Sequence, residues 1–303
     1  MATLEGLKRK IDGIEDLGSV VKTMKALAAV NIRQFEKAAV ALQMYDRTVD
    51  MALQIVLRDR PGFSISARAA DPKGLLAVVF GTDQGMCGPL NETIVAHTLK
   101  AVDHLGVDPG KLGMVAVGIR AANRLADEGR PVAKTVAVPG TVDAVTSLVQ
   151  ELVVEIEQSL EQDGLERVDL FHCRPQSKAT YRPHTVRLLP VDRQWLRTIR
   201  EKPWPGNQLP WYSMPWDPLF AALIRQYLFA ALYRAAVESL VAENASRLAA
   251  MQGAESSIEE RLEALQGQYH RQRQMGITEE LLDIVSGFQA LEADRVPGDR
   301  VRE

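Results

Sequence analysis

The chain has 303 residues, 46% of them hydrophobic and 25% charged, with a formal net charge of -3. That is enough for one large or two modest domains with a real core, and the near-neutral charge and 6% aromatic content argue against a nucleic-acid surface. The two cysteines, Cys87 and Cys173, form no C-x-x-C pair, so a disulfide framework or zinc site is not expected and a reducing compartment is.

The N-terminus carries acids and lacks a signal peptide's apolar core, which argues against secretion. From about residue 3 to 57 there is no proline, and apolar residues step by three and four: Leu4, Leu7, Ile11, Ile14, Leu17, Val21, Met24, Ala28, Ile32, Phe35, Ala39, Leu42, Tyr45, Val49, Leu53 and Val56. One narrow stripe on a helix of roughly 80 Å predicts a coiled-coil seam within residues 1–60. Gly6, Gly13 and Gly18 weaken its first turns by about 1 kcal/mol each relative to alanine. Arg60-Pro61-Gly62 ends it.

Residues 73–190 change character. Short apolar runs around 75–80, 112–117, 132–138, 167–174 and 185–189 read as strands. Segments 89–103, 119–128 and 141–162 read as helices, with Pro89 in a first turn and Thr141 as an N-cap. Strand alternating with helix predicts an α/β sheet, parallel at its start. Glu151, Glu155 and Glu157 are expected on a solvated face. Residues 191–218 read as a connection, whose stretch 203–218 is rich in proline and tryptophan. From 219 to 291 there is again no proline, with apolar steps at Ile258, Leu262, Leu265, Tyr269, Ile277, Leu281, Ile284, Phe288 and Leu291. Asp217 is the expected N-cap, ahead of Pro218. Residues 292–303 form a charged tail. Two long helices with narrow seams at opposite ends of one chain are expected to pair as an antiparallel coiled coil, with the α/β domain inserted between them.

The loop 81–89 follows the first strand, where a doubly wound fold binds phosphate. It contains neither G-x-x-x-x-G-K-[ST] nor G-x-G-x-x-G, so a structural turn is the better reading. Cys87 reads as a buried structural thiol. His172 and Cys173, adjacent on a strand, point to opposite faces and cannot share a metal. No catalytic, cofactor or metal residues are expected.

Three stretches, in order, carry a resemblance. The segment LKRKIDGIEDLGSVVKTMKALAAVNIRQFEKA contains K-x-M-K-x-x-A at Lys22, Met24, Lys25 and Ala28; the loop TDQGMCGPLN starts at Thr82; LYRAAVESLVAENASRLAAM and YHRQRQMGITEELLDIVSG lie near the C-terminus. Together they resemble the gamma subunit of F-type ATP synthases over essentially the whole chain. The resemblance implies a coiled coil of the two terminal helices with a Rossmann-like α/β domain at its foot. It also implies a central-stalk rotor, turned by a membrane ring of c subunits, that drives catalytic sites in a hexamer of alpha and beta subunits, with epsilon at its base. The chain itself is then a non-catalytic, peripheral subunit on the cytoplasmic face of a bacterial inner membrane. Contact positions implied by the resemblance are Met24, Lys25, Arg273, Gln274, Thr278, Glu280 and Asp283. Departures such as Gln84 for arginine, Pro89 for glycine and His270 for asparagine mark a divergent member, in keeping with an alternative form of the complex, and leave the coupling ion open between proton and sodium. The residues alone also admit a small α/β enzyme with helical oligomerisation arms, or a coiled-coil scaffold.

Overall fold

A computed structural model describes residues 3–60, 74–162, 164–176, 180–208 and 210–293, with the side chains of 290–293 excepted. The elements follow in the order α1 (Leu4–Asp59), β1 (Leu75–Phe80), α2 (Leu90–Leu105), β2 (Leu112–Val117), α3 (Ile119–Asp127), β3 (Lys134–Val136), α4 (Val142–Gln162), β4 (Arg167–Pro175), β5 (Tyr181–Leu189), α5 (Arg193–Glu201) and α6 (Trp216–Ala293). They form two compact units, residues 25–250 and the pair of segments 1–24 and 251–303.

In the larger unit the five strands lie in the order β3-β2-β1-β4-β5. β1, β2, β3 and β4 are parallel, and only β5 runs antiparallel, against β4. The chain crosses from β1 through β2 to β3 on one side, then returns through α4 to β4 on the other. The topological switch therefore lies between β1 and β4. β1 is buried on both faces, as a continuous apolar run in a parallel sheet requires. Leu75, Ala77 and Val79 face α2 and α3. Leu76, Val78 and Phe80 face α4, Phe35 of α1 and residues 232–241 of α6. The same alternation sends Cys173 to the first layer and turns His172 to Glu238 of α6, 2.9 Å away.

α1 and α6 run antiparallel in this unit. Asn31 donates to Asn244, and Arg234 pairs with Asp46 further along. The seam drifts from the expected one. Tyr45 is exposed, its hydroxyl donating to Gln226, while the neighbouring Asp46 turns inward to Arg234. A strict three-four reading cannot follow a straight helix of 3.6 residues per turn over this length.

The connection 191–218 is not a plain loop. It contains α5, capped by the Asp192 carboxylate accepting from Gln194 N at 2.9 Å. Leu196 and Ile199 of α5 pack with Val49, Leu53 and Leu57 of α1. α6 also begins before the expected residue: Trp216 is its first residue, so Asp217 lies within the first turn rather than at the cap. The Trp216 indole is the cause, being 7% exposed and donating to Val56 O at 2.8 Å. Arg60 stacks over the same ring at 4.5 Å and reaches Asp217 at 3.3 Å, and the Tyr212 hydroxyl donates to Asp59 at 2.6 Å. These contacts clamp the end of α1 to the start of α6. Thr141 faces Ala144 N at 3.4 Å as the cap of α4. Pro89 is the residue just before α2 rather than inside its first turn. Glu151 and Glu155 are not merely solvated: Lys134 bridges both, at 3.3 and 3.1 Å.

In the smaller unit, α1 supplies Leu7 and Val21 and α6 supplies Met251 and Leu265 as buried seam residues. Leu17, expected in the seam, is 53% exposed, and Gly18 faces Ile258 instead. α6 continues to Ala293; the rest of the tail, like residues 61–62, lies outside the described residues.

Candidate partner-contact surfaces

Two places concentrate functional geometry. The first is the loop after β1. Thr82 is fully buried; its amide donates to Asn91 Oδ1 at 3.1 Å, and Asn91 Nδ2 returns a bond to Thr82 Oγ1 at 2.9 Å. Asp83 accepts from two backbone amides, Ile119 N at 2.9 Å and Val138 N at 2.8 Å. The first opens α3, whose N-cap, Gly118, has no side chain to offer. Gly118 is required here: its φ is +104°, and a Cβ would lie 2.6 Å from Thr82 N. The N-terminus of α3, which like any helix start favours an anion, is thus taken by the chain's own carboxylate.

Cys87 lies 2% exposed beneath this loop, and burial pushes its thiol up, with the Thr82 hydroxyl pulling weakly the other way. From α6, Ser246 donates to Cys87 O at 2.5 Å. The Arg247 guanidinium faces Gln84 O and Gly85 O at 3.5 and 3.4 Å and is held by Glu243 at 2.7 Å. Burial pushes the Glu243 carboxyl up, against the pull of Arg247. Beside them lies a cavity of about 140 Å³, lined by Asn31, Phe35, Asp83, Glu243 and Asn244 among others. No signal within one segment announces this set, because the loop and its α6 partners lie about 160 residues apart.

The second place is the far part of α6. Counted outward from the Gly18–Ile258 contact at one shared rise per residue, an antiparallel α1 ends opposite about residue 272. Every residue from Ile277 to Gln289 is exposed. Met275, Leu281, Leu282, Ile284, Val285 and Phe288 are each more than half exposed. The apolar steps at Ile277, Leu281, Ile284 and Phe288, expected to continue the seam, therefore have no α1 residue to meet. The motif positions Arg273, Gln274, Thr278, Glu280 and Asp283 are all exposed on this segment, and the Thr278 hydroxyl bonds back to Gln274 O at 2.9 Å. They wrap the helix rather than share a face. Met24, in the smaller unit, and Lys25, in the larger, are both half-buried on α1.

The family described as ATP synthase matches residues 3–291. The chain belongs to the ATP synthase gamma-chain family. Among relatives in that family, the gamma chain of Salinibacter ruber is 28% identical over 318 residues, covering 96% of this chain and 99% of that one. The gamma chain of a Cyanothece species is 26% identical over 323 residues, covering 96% and 100%. Among solved structures, a chain of the Euglena gracilis mitochondrial ATP synthase (OSCP/F1/c-ring, rotational state 3) superposes with a TM-score of 0.63 at 18% identity, covering 99% of this chain and 98% of that one. A chain of the Tetrahymena thermophila mitochondrial ATP synthase central stalk and c-ring gives 0.56 at 19% identity, covering 78% and 99%. These likenesses show the fold: long terminal helices around a mixed α/β sheet. No helix among the described residues is long and apolar enough to cross a membrane.

Proposed function

We propose that this gamma chain is the central-stalk rotor of an F-type ATP synthase. It couples ion-driven rotation of a membrane c ring to ATP synthesis or hydrolysis in a hexamer of alpha and beta subunits, and binds epsilon at its base. The observation that carries the reading is the bare end of α6, where Leu281, Leu282, Ile284 and Phe288 stand 57–67% exposed. A run of that kind needs an apolar surrounding, and a sleeve formed by a hexamer supplies one all round the helix. Arg273, Gln274, Thr278, Glu280 and Asp283 of the same segment, with Met24 and Lys25 of α1, are the chain's further partner contacts. The subunit carries no chemistry of its own and needs no cofactor. Its place is the cytoplasmic face of a bacterial inner membrane, held there through its partners.

Co-expression with the alpha and beta subunits of its own complex tests this. The chain should co-purify with both, and the double substitution Leu281→Glu with Ile284→Glu should abolish recovery while leaving the isolated chain's helix content intact. Undiminished recovery of the doubly charged variant would overturn the assignment of this surface.

A further inference from the structure

We propose that the loop 82–88 is a grip that fixes the angular position of α6 on the α/β domain, with Ser246, Arg247 and Glu243 as its positioning residues. This deepens the rotor reading and rests on it. The loop stands at the carboxyl end of β1, beside the switch between β1 and β4, where a doubly wound fold holds its ligand. Here the occupant is the chain's own α6.

The loop is built stiff. The reciprocal Thr82–Asn91 bonds hold its base, and Asp83 ties it to the segments following both β2 and β3. Gly81 packs so closely on α3 that a Cβ would lie 2.3 Å from that of Ala121. Against this rigid edge, α6 presents Glu243, Ser246 and Arg247, each 6% exposed.

The energetics point to a positional role. Apart from Glu238, which meets His172 and Arg174 of β4 at 2.9 and 3.5 Å, the α6 contact with the sheet is apolar: Leu232, Ala236, Val237, Leu240 and Val241 pack on Val78, Phe80 and their neighbours. Apolar burial is strong but non-directional, so such a contact resists separation better than rotation of the helix about its axis. A buried ion pair adds little net stability, because desolvation offsets the attraction, but its geometry is specific. Turning α6 would pull Ser246 from Cys87 O and Arg247 Nη2 from the loop carbonyls, leaving further buried polar groups without partners. A rotor that passes torque between its foot and its shaft needs this resistance.

The test uses the assembled complex, its alpha/beta hexamer immobilised and a probe attached to the α/β domain of this chain. Three variants are compared with wild type: Glu243→Leu with Arg247→Met, Ser246→Ala, and Arg247→Lys. The double variant replaces the ion pair by apolar side chains and should assemble and keep its thermal midpoint. The expected result is a broader angular distribution of the stalled probe and a loss of ions pumped per ATP hydrolysed. Arg247→Lys, which keeps the charge but on a shorter side chain that reaches the loop carbonyls less well, should fall between. An angular width and pumping ratio equal to wild type in an assembled double variant would overturn the proposal. If the double variant does not assemble, Ser246→Ala decides it, a wild-type width again overturning the grip. A wild-type chain that fails to enter the complex overturns the rotor reading instead.

Discussion

Asp83→Ala removes one side chain that serves two backbone donors on two other segments. The carboxylate accepts from Ile119 N and Val138 N at 2.9 and 2.8 Å. Hydrogen bonds to a charged acceptor contribute about 1.5–3 kcal/mol each. Ile119 N lies at an exposed position and Val138 N is part-buried, so the lower half of that range applies to the first. The favourable placement of a negative charge at the start of α3 adds about 0.5 kcal/mol. The sum is about 4 kcal/mol lost locally, or roughly a thousandfold more frequent opening at those two amides. Amide hydrogen exchange on the full-length chain reads this directly: Ile119 and Val138 should lose protection together, although 19 residues apart in sequence. Asp83→Asn keeps one acceptor oxygen and should show about half the loss in kcal/mol. Unchanged exchange at both amides in Asp83→Ala would refute the reasoning that this carboxylate holds the loop to the ends of β2 and β3.

Further outcomes follow from the same packing. Burial opposes ionisation of Glu238, but the His172 hydrogen bond and the His172, Arg174 and Arg234 charges outweigh it and hold its carboxyl below the usual range. A depressed folded pKa contributes stability above the unfolded value of about 4.3 and loses it as pH falls through the folded one. Glu238→Gln should therefore lower the thermal midpoint near neutral pH, with the gap to wild type closing in acid; a gap independent of pH would count against it. Cys173 is fully buried and its thiol is pushed up to about 12 by desolvation and by Cys87. Neither cysteine should react with an alkylating reagent at neutral pH until the chain is unfolded, and rapid labelling of the native protein would contradict this. Phe35 is 2% exposed in the core that joins α1 to α6 and the sheet; Phe35→Ala should cost about 3–5 kcal/mol in chemical denaturation, and a cost under about 1 kcal/mol would mean that the site is not packed as described.

Periodicity carries most of the architecture. The prolineless helical runs and the short apolar strands each obey one repeat over enough residues to be read locally. The places where the reading slipped have physical causes. Leu17 and Tyr45 fit a three-four count, but Gly18 and Asp46 occupy the inward positions, because a helix of 3.6 residues per turn drifts against a 3.5 repeat. α5 escaped because three of its nine residues are arginine; the Asp192 cap, followed by Trp195, Leu196 and Ile199, was the available signal. The apolar steps past residue 275 looked like more seam, since periodicity shows that a stripe exists but not whether the chain itself covers it. The loop motif was recognisable, yet its role depends on Ser246 and Arg247, which only the tertiary fold brings to it.

The clamp at the base has a consequence for how the chain tolerates change. Trp216 on Val56, Arg60 on Asp217 and Tyr212 on Asp59 bring the two ends of the inserted region together. To the helices, everything between is a long closed loop, and the cost of closing a loop grows only slowly with its length. The insert is therefore free to gain or lose surface segments with little effect on the pairing of α1 with α6.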